Sequence, residues 1–314
     1  MAENKDGKLM MGRRTFVKGS LAASALAALA ACSNGTPAPS GGSSADAGKN
    51  MISVYIDNPV CIEPYNVQET EGGKVESALF DPLTKYNFRT GKLDNIACES
   101  YEASEDATVF TFKLRADAKF HNGDPVDAAS FKRSFERICN PNTREGDPSV
   151  IAYHLSMVKG YDEMQSGQAT ELSGVEAVDE LTLKITLSVP YADFPYVLSH
   201  GAMAPVPKAA LEDPEGYWLS PIGNGPFKMD GKWEDGQYIN MVKYAEYVPT
   251  SANLDTLYFN IQKDVETAYR EFEAGNIDVA TIPTSRIAEA VQKYGEAEDG
   301  YTITPGHQCV LGAQ

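Results

Sequence analysis

Groups that do chemistry by themselves are thin in this sequence. Its four histidines, His121, His154, His200 and His307, are dispersed, so a shared metal site would require the fold to gather them. Cys61, Cys98, Cys139 and Cys309 stand far apart and match no C-x2-C ligand spacing. No G-x-S-x-G elbow and no H-E-x-x-H pair is present. Gly225 to Lys232 has one residue too many between its glycines for a phosphate-cradling loop and lacks the following Ser or Thr, and Gly223-Asn224-Gly225 is not completed to GxGxxG. No cofactor and no metal is therefore expected. A hydrolase is the weak rival, because the abundant carboxylates single out no acid/base pair. Basic residues are also in the minority, 27 Lys and Arg against 44 Asp and Glu, for a formal charge of −17. A field of that sign repels nucleic acid and anionic lipid, so neither is an expected partner.

Long apolar runs are missing as well. Leu21 to Ala31 falls well short of the ~20 residues that a membrane-spanning helix needs, yet suits the apolar region of a signal peptide. It follows Gly12-Arg13-Arg14-Thr15-Phe16-Val17-Lys18, which resembles a twin-arginine export motif built on Arg13 and Arg14. It ends in Leu29-Ala30-Ala31-Cys32, which resembles a bacterial lipobox, with Cys32 as the lipid-attachment residue and mature N-terminus. Residues 33–50 are rich in Ser, Gly, Pro and Ala and hold no large apolar side chain, so they read as a flexible tether. An exported, tethered chain is implied, in a compartment where disulfides can persist.

The chain is organised around Thr108 to Asn140. Phe110, Phe112 and Leu114 alternate with Thr111, Lys113 and Arg115, the period of two of a half-buried strand. Asn122-Gly123 marks a turn that tolerates positive φ. Asp127 can cap a helix in which Phe131, Phe135 and Ile138 share one face, Lys132, Arg133, Glu136 and Arg137 take the other, and Asn140-Pro141 is the stop. Cys139, near the apolar face, reads as a buried thiol. Further strands are expected at 51–56, at 181–187 and at 257–261. Glu234-Asp235-Gly236 signals a hairpin between 227–233 and 238–244. Val265, Ala268, Tyr269 and Phe272 form a helical stripe between Asp264 and Gly275. A strand at 277–282 follows, then a second stripe (Ile287, Ala290, Val291, Tyr294) and a strand at 301–304. Strand, helix, strand, helix, strand predicts parallel crossovers and an α/β sheet.

Several of these stretches resemble one family. The string from Phe112 through Phe120-His121-Asn122-Gly123-Asp124 to Phe135, the turn Gly223-Asn224-Gly225-Pro226-Phe227-Lys228, Leu79-Phe80-Asp81-Pro82-Leu83 and Phe272-Glu273-Ala274-Gly275-Asn276-Ile277-Asp278 are similar to segments of the family 5 extracellular solute-binding proteins of ABC importers. That group includes oligopeptide- and dipeptide-binding proteins. The resemblance covers roughly 51–305. It implies a two-lobed α/β receptor of the periplasmic-binding-protein type II kind, not an enzyme, that holds a peptide between its lobes and closes by a hinge. The closed form would be presented to permease subunits served by cytoplasmic ATPases. The partners implied are a peptide or other small solute, the permease, and the membrane through the lipid anchor, with the receptor monomeric on the outer face of the cytoplasmic membrane.

The family's ligand-lining loop aligns with Gln68, Glu69 and Thr70, where Gln and Glu stand in place of the oligopeptide binders' usual Glu and Gly. That departure keeps other ligands open: a nickel complex, haem, a sugar or a signalling peptide. The resemblance divides the chain into a signal peptide at 1–31, a tether at 32–50, a first lobe from 51–80 and 206–305, an α+β subdomain inserted at 81–205, and the start of a second lobe at 306–314. Most of the second lobe is expected to lie beyond Gln314, and the chain as given is expected to bind peptide more weakly than one carrying both lobes.

Overall fold

The computed structural model describes residues 50–248 and 251–294 in full, and the backbone of 301–304 and 310–313. Arg13, Arg14 and Cys32, together with His307 and Cys309, lie outside the described residues.

Three sheets are present among the described residues. The largest has seven strands in the order β12-β13-β11-β1-β10-β9-β8. Its members are β1 (Met51–Ile56), β8 (Phe227–Met229), β9 (Tyr238–Lys243), β10 (Thr256–Ile261), β11 (Val279–Thr281), β12 (Tyr301–Thr304) and β13 (Val310–Ala313). A hairpin is made of β2 (Thr84–Asn87) and β3 (Lys92–Asn95). The third sheet has the order β4-β5-β7-β6, from Cys98–Ala103, Val109–Leu114, Thr182–Thr186 and Val175–Asp179. Among the described residues the four helices longer than two turns are α1 (Thr70–Leu79), α2 (Ala128–Cys139), α3 (Val265–Ala274) and α4 (Ile287–Tyr294).

The first strand is the middle of the large sheet. β1 pairs in parallel with β10 along its whole length, Met51 against Thr256 through Ile56 against Ile261, and with β11 at Val54–Val279. A central parallel strand is covered on both faces. Ile56 joins a core with Val75, Leu79 and Phe80 of the α1 region, whereas Tyr55 joins one with Tyr269 and Phe272 of α3. The expected crossover is present: β10 leads through α3 to β11, both parallel to β1. Asp264 caps α3 through Thr267 N, and Gly275 ends it at φ 82°. Val310–Ala313, within the 306–314 that the resemblance assigns to the start of a second lobe, pairs antiparallel to both β11 and β12 within this sheet. The stripe on α4 is narrower than expected, since Ala290 is buried but Val291 is half exposed.

The four-stranded sheet has its own core. Phe110, Phe112 and Leu114 point inward from β5 and meet Phe131, Phe135 and Ile138 of α2 and Leu183 and Ile185 of β7. Each such side chain contributes about 1.5–3 kcal/mol on full burial. Asp127 Oδ1 accepts from Ser130 N at 2.7 Å, and Asn140 ends the helix. Cys139 is a buried free thiol, as are Cys61 and Cys98.

One residue of α2 breaks the expected pattern. Arg137, assigned to the polar face, is buried, and its guanidinium makes two parallel bonds of 3.0 Å to Glu63, which follows β1 in sequence. The side chain turns inward because a carboxylate from the large-sheet side meets it there, ringed by Tyr65 and Tyr217. This pair ties the two larger sheets together.

Candidate ligand-binding site

β1 and β10 run in parallel, so their carboxyl ends emerge side by side with the N-terminus of α3. That edge is where open α/β sheets take ligands. A cleft of about 550 Å³ lies there, lined by Asp57, Asn58, Gly236, Gln262, Lys263 and Asp264. The Tyr55 hydroxyl donates to Asp57 at 2.5 Å, and Asp57 N donates to Glu71 Oε2 at 3.2 Å. Glu71, held by Lys74 at 2.8 Å, thereby couples the end of β1 to the first turn of α1.

A second cavity, of about 370 Å³, opens along α1. Gln68, Glu69, Gly73, Glu76 and Ser77 form one wall, and Lys85, Tyr86 and Phe88 of the β2–β3 hairpin and His200 form another. Gln68 is exposed there, at the mouth. Glu69 has a structural duty as well: it is the N-cap of α1, and its carboxylate accepts from Val60 N at 3.2 Å, Glu71 N at 2.6 Å and Gly72 N at 2.7 Å. Thr70, the first helical residue, is exposed and does not line the cavity. Close approach explains the first glycine of the Gly72-Gly73 pair, since a Cβ on Gly72 would overlap Cys61 O and the capping carboxylate.

Glu76 is the least expected member of the wall. It is only 3% exposed, and its Oε1 has no hydrogen-bond partner. Burial pushes its carboxyl up to about 8, against a downward pull from Lys85 and with a smaller upward push from Asp81. The signal for it in sequence was a single carboxylate inside the apolar run Val75 to Phe80. Tyr86 and Phe88 meet edge to face at 5.0 Å, and Phe88 is 90% exposed. His200 and His154 lie ring against ring at 4.8 Å. No cluster of three or more His, Cys, Asp or Glu side chains suited to a metal occurs among the described residues.

The two sequence motifs meet at the far end of α1. Asn224 Oδ1 accepts from Asp81 N at 3.0 Å, while Nδ2 donates to Asp81 O at 2.9 Å. Gly225 N donates to Leu79 O at 2.8 Å. His121 bridges the glycines, accepting from Gly223 N at Nδ1 (3.1 Å) with Nε2 3.0 Å from Gly225 O. That geometry fits the neutral ring protonated on Nε2, and burial lowers the pKa to about 4. Neither Gly223 nor Gly225 has a positive φ. They are needed for close approach rather than for a left-handed bend, because a Cβ on Gly223 would overlap Leu79 O and one on Gly225 would lie 2.6 Å from Leu79 C.

The match to known proteins agrees with this arrangement. The model of the bacterial extracellular solute-binding proteins, family 5 Middle, matches residues 92–310, well over half of the chain. The chain is 28% identical over 249 residues to the glutathione-binding protein GsiB of Escherichia coli O6:K15:H31 (strain 536 / UPEC), covering 78% of this chain and 45% of that one. It is 31% identical over 225 residues to the periplasmic oligopeptide-binding protein OppA of Escherichia coli (strain K12), covering 69% and 40%. Among solved structures, the Escherichia coli murein tripeptide binding protein MppA superposes with a TM-score of 0.73 at 25% identity, over 82% of this chain and 50% of that one. The chain thus spans about half the length of the relatives it matches. With the β1–β10 edge, the cavity along α1 and both motifs falling where they do, the chain belongs to the bacterial extracellular solute-binding proteins of family 5.

Proposed function

We propose that the chain is the solute-capturing component of an ABC importer and that its solute is a short peptide or a peptide-like molecule such as glutathione. The observation that carries this reading is the cavity along α1, where exposed Gln68 and the helix-capping Glu69 face Lys85, Tyr86 and Phe88 across open space. A peptide lying there would offer its main chain to the loop before α1 and its side chains to the aromatic wall, in the manner of an added strand. The binding proteins GsiB, OppA and MppA, named for glutathione, oligopeptides and a murein tripeptide, support this class of solute.

In this reading residues 51–80 and 206–305 form one lobe with 81–205 inserted in it, and 306–314, of which Val310–Ala313 adds a strand to that lobe's sheet, begin the passage to a second lobe. The chain is exported through Arg13 and Arg14, lipidated at Cys32, and held by residues 32–50 outside the cytoplasmic membrane. It works there as a monomer that delivers its solute, chemically unchanged, to a permease with cytoplasmic ATPases. Isothermal titration calorimetry of the 314-residue chain against glutathione and a panel of di- to pentapeptides tests the solute class. Saturable heat with at least one peptide is expected, reduced by Gln68→Ala. Hydrolysis of the peptides, or no heat from any of them, would overturn the reading. Mass spectrometry of the protein from its host tests the anchor, since a Cys32→Ala chain would lack the added lipid mass.

A further inference from the structure

We infer that Glu76 is a ligand-recognition residue, and that the cavity beside it takes a cationic group of the solute, an ammonium, which supplies the missing partner of Glu76 Oε1. The inference rests on the proposal that this cavity is the solute site, and it names the chemistry that the site selects.

Glu76 lines the cavity and is more than nine-tenths buried, and Oε1 is shielded from water without a hydrogen bond. A buried carboxylate left in that condition is costly, because it loses its hydration and gains nothing in return. Lys85 pulls on it from a distance, but no cation of the protein is hydrogen-bonded to it among the described residues. Lys85, across the cavity, pairs with Asp81 at 3.7 Å. Lys74, on the same helix, is taken by Glu71. His200 accepts from Ala202 N through Nδ1 and lies against the His154 ring, and burial lowers the pKa of both histidines, with His154 adding to the effect at His200. Glu69 is occupied by three backbone N–H groups. The backbone at Gly201 closes against the Glu76 carboxylate, where a Cβ would overlap it. The open direction is the cavity, whose opposite wall carries Tyr86 and Phe88. An ammonium entering there would meet a carboxylate at one end and aromatic rings on its flank, a combination that favours cations.

The protonation state gives the idea a signature. With its carboxyl raised to about 8, Glu76 holds its proton at neutral pH in the free protein. An ammonium beside it favours the carboxylate, so binding sends that proton to solvent. Affinity for a cationic solute then rises with pH below 8, and the slope approaches tenfold per pH unit when a whole proton is released. Two other titratable groups lie beside Glu76: burial raises the pKa of the Asp81 carboxyl, which accepts from Tyr247, and lowers that of His200; a slope that came from either would persist in Glu76→Gln.

The test uses the 314-residue chain and three peptides: Ac-Ala-Lys-Ala, with its cation on the side chain; Ala-norleucine-Ala, with its cation at the amino terminus; and Ac-Ala-norleucine-Ala, with none. Calorimetry at pH 6 and 7.5, in two buffers of different ionisation enthalpy, reads affinity and proton release together. At least one cationic peptide is expected to bind tenfold or more tighter than the neutral one, to release a proton, and to gain affinity with pH. Which of the two does so tells side chain from terminus. In Glu76→Gln, which keeps the shape, that preference and the pH slope are expected to vanish. Equal binding of all three peptides, or a slope unchanged in Glu76→Gln, would overturn the inference while leaving the solute reading intact. Binding of none would overturn both.

Discussion

Replacing Arg137 by methionine is the most direct test of how the two larger sheets are held together. Glu63 and Arg137 are 1% and 5% exposed, and the two terminal guanidinium nitrogens each reach one carboxylate oxygen at 3.0 Å. Tyr65 N adds a third donor to Glu63 at 3.2 Å. Methionine fills much of the same volume between Tyr65 and Tyr217 but leaves Glu63 charged, dry and short of two bonds. Breaking one side of such a pair costs about 3–5 kcal/mol, whereas replacing both partners by apolar groups is often neutral. Against a typical stability of roughly 5–15 kcal/mol, the single substitution removes a large share. Urea unfolding followed by circular dichroism should show a midpoint far below wild type for Arg137→Met, with most of the loss recovered in Glu63→Met/Arg137→Met. Lys119→Ala, whose pair with Glu246 is about half exposed or more on both sides, serves as the contrast and should shift the midpoint only slightly. If Arg137→Met falls within that same small range, or the double variant is as weak as the worse single one, the pair is not what joins the sheets.

Three further outcomes follow from the same geometry. Glu76 has a folded-state pKa near 8, above the ordinary ~4.3 of the unfolded chain, so the folded protein holds a proton that the unfolded one has released. Stability should fall as pH rises from about 5 to 8, and Glu76→Gln should flatten that fall and be the more stable protein at pH 9, by an amount on the order of 1.4 kcal/mol for each tenfold difference in proton affinity between the folded and unfolded chain; urea midpoints at pH 5 and 9 check it. Gly223→Ala should cost more than about 3 kcal/mol or prevent folding, because the clash is with the Leu79 backbone rather than with a movable side chain; a thermal midpoint within a few degrees of wild type would refute the close-approach account. Glu69→Ala removes the α1 cap and should cost about 0.5–2 kcal/mol, read by thermal unfolding, and should also weaken solute binding because Gln68 sits immediately before it.

The features legible in sequence are those whose cause is local. Alternation of Phe110, Phe112 and Leu114 reports a strand because the side-chain period is fixed by the backbone, and those three side chains do point inward. Asp127 and Asp264 cap the helices they precede, and Gly275 ends α3 in the left-handed region. Partners far apart in the chain were not legible. Arg137 carries a charge at a position that the helical pattern gives to solvent, and its burial depends on Glu63, which a local window does not contain. Helix α1 is hidden by Gly72-Gly73, poor helix formers. Only the approach of Cys61 explains Gly72, and only Glu69's three bonds show how the helix starts. The site divides in the same way. Gln68 and Glu69 came from alignment with a family loop and do line the cavity, whereas Thr70 does not. Glu76, Lys85, Tyr86, Phe88 and His200 converge through tertiary structure alone.

The placement of the motifs explains why a family can be read so much more easily than a solute. The segment around His121 and the Gly223-Asn224-Gly225 turn bond to each other, and the turn bonds to Leu79 and Asp81 at the carboxyl end of α1. They hold that end through backbone contacts too close for any side chain at the glycines, and through an imidazole kept neutral by burial. Such contacts tolerate few substitutions, so they leave a recognisable string of residues. The cavity-facing side of α1 and the loop before it have the opposite character. Gln68, Glu76 and Ser77 face open volume, and a change there alters what fits without loosening the clamp. A rigid support beneath a substitutable wall is what a binding site needs if one scaffold is to serve different solutes. The clamp therefore carries the family identity, and, if the cavity is the solute site as proposed, the wall, above all Glu76 opposite Tyr86 and Phe88, carries the choice of ligand.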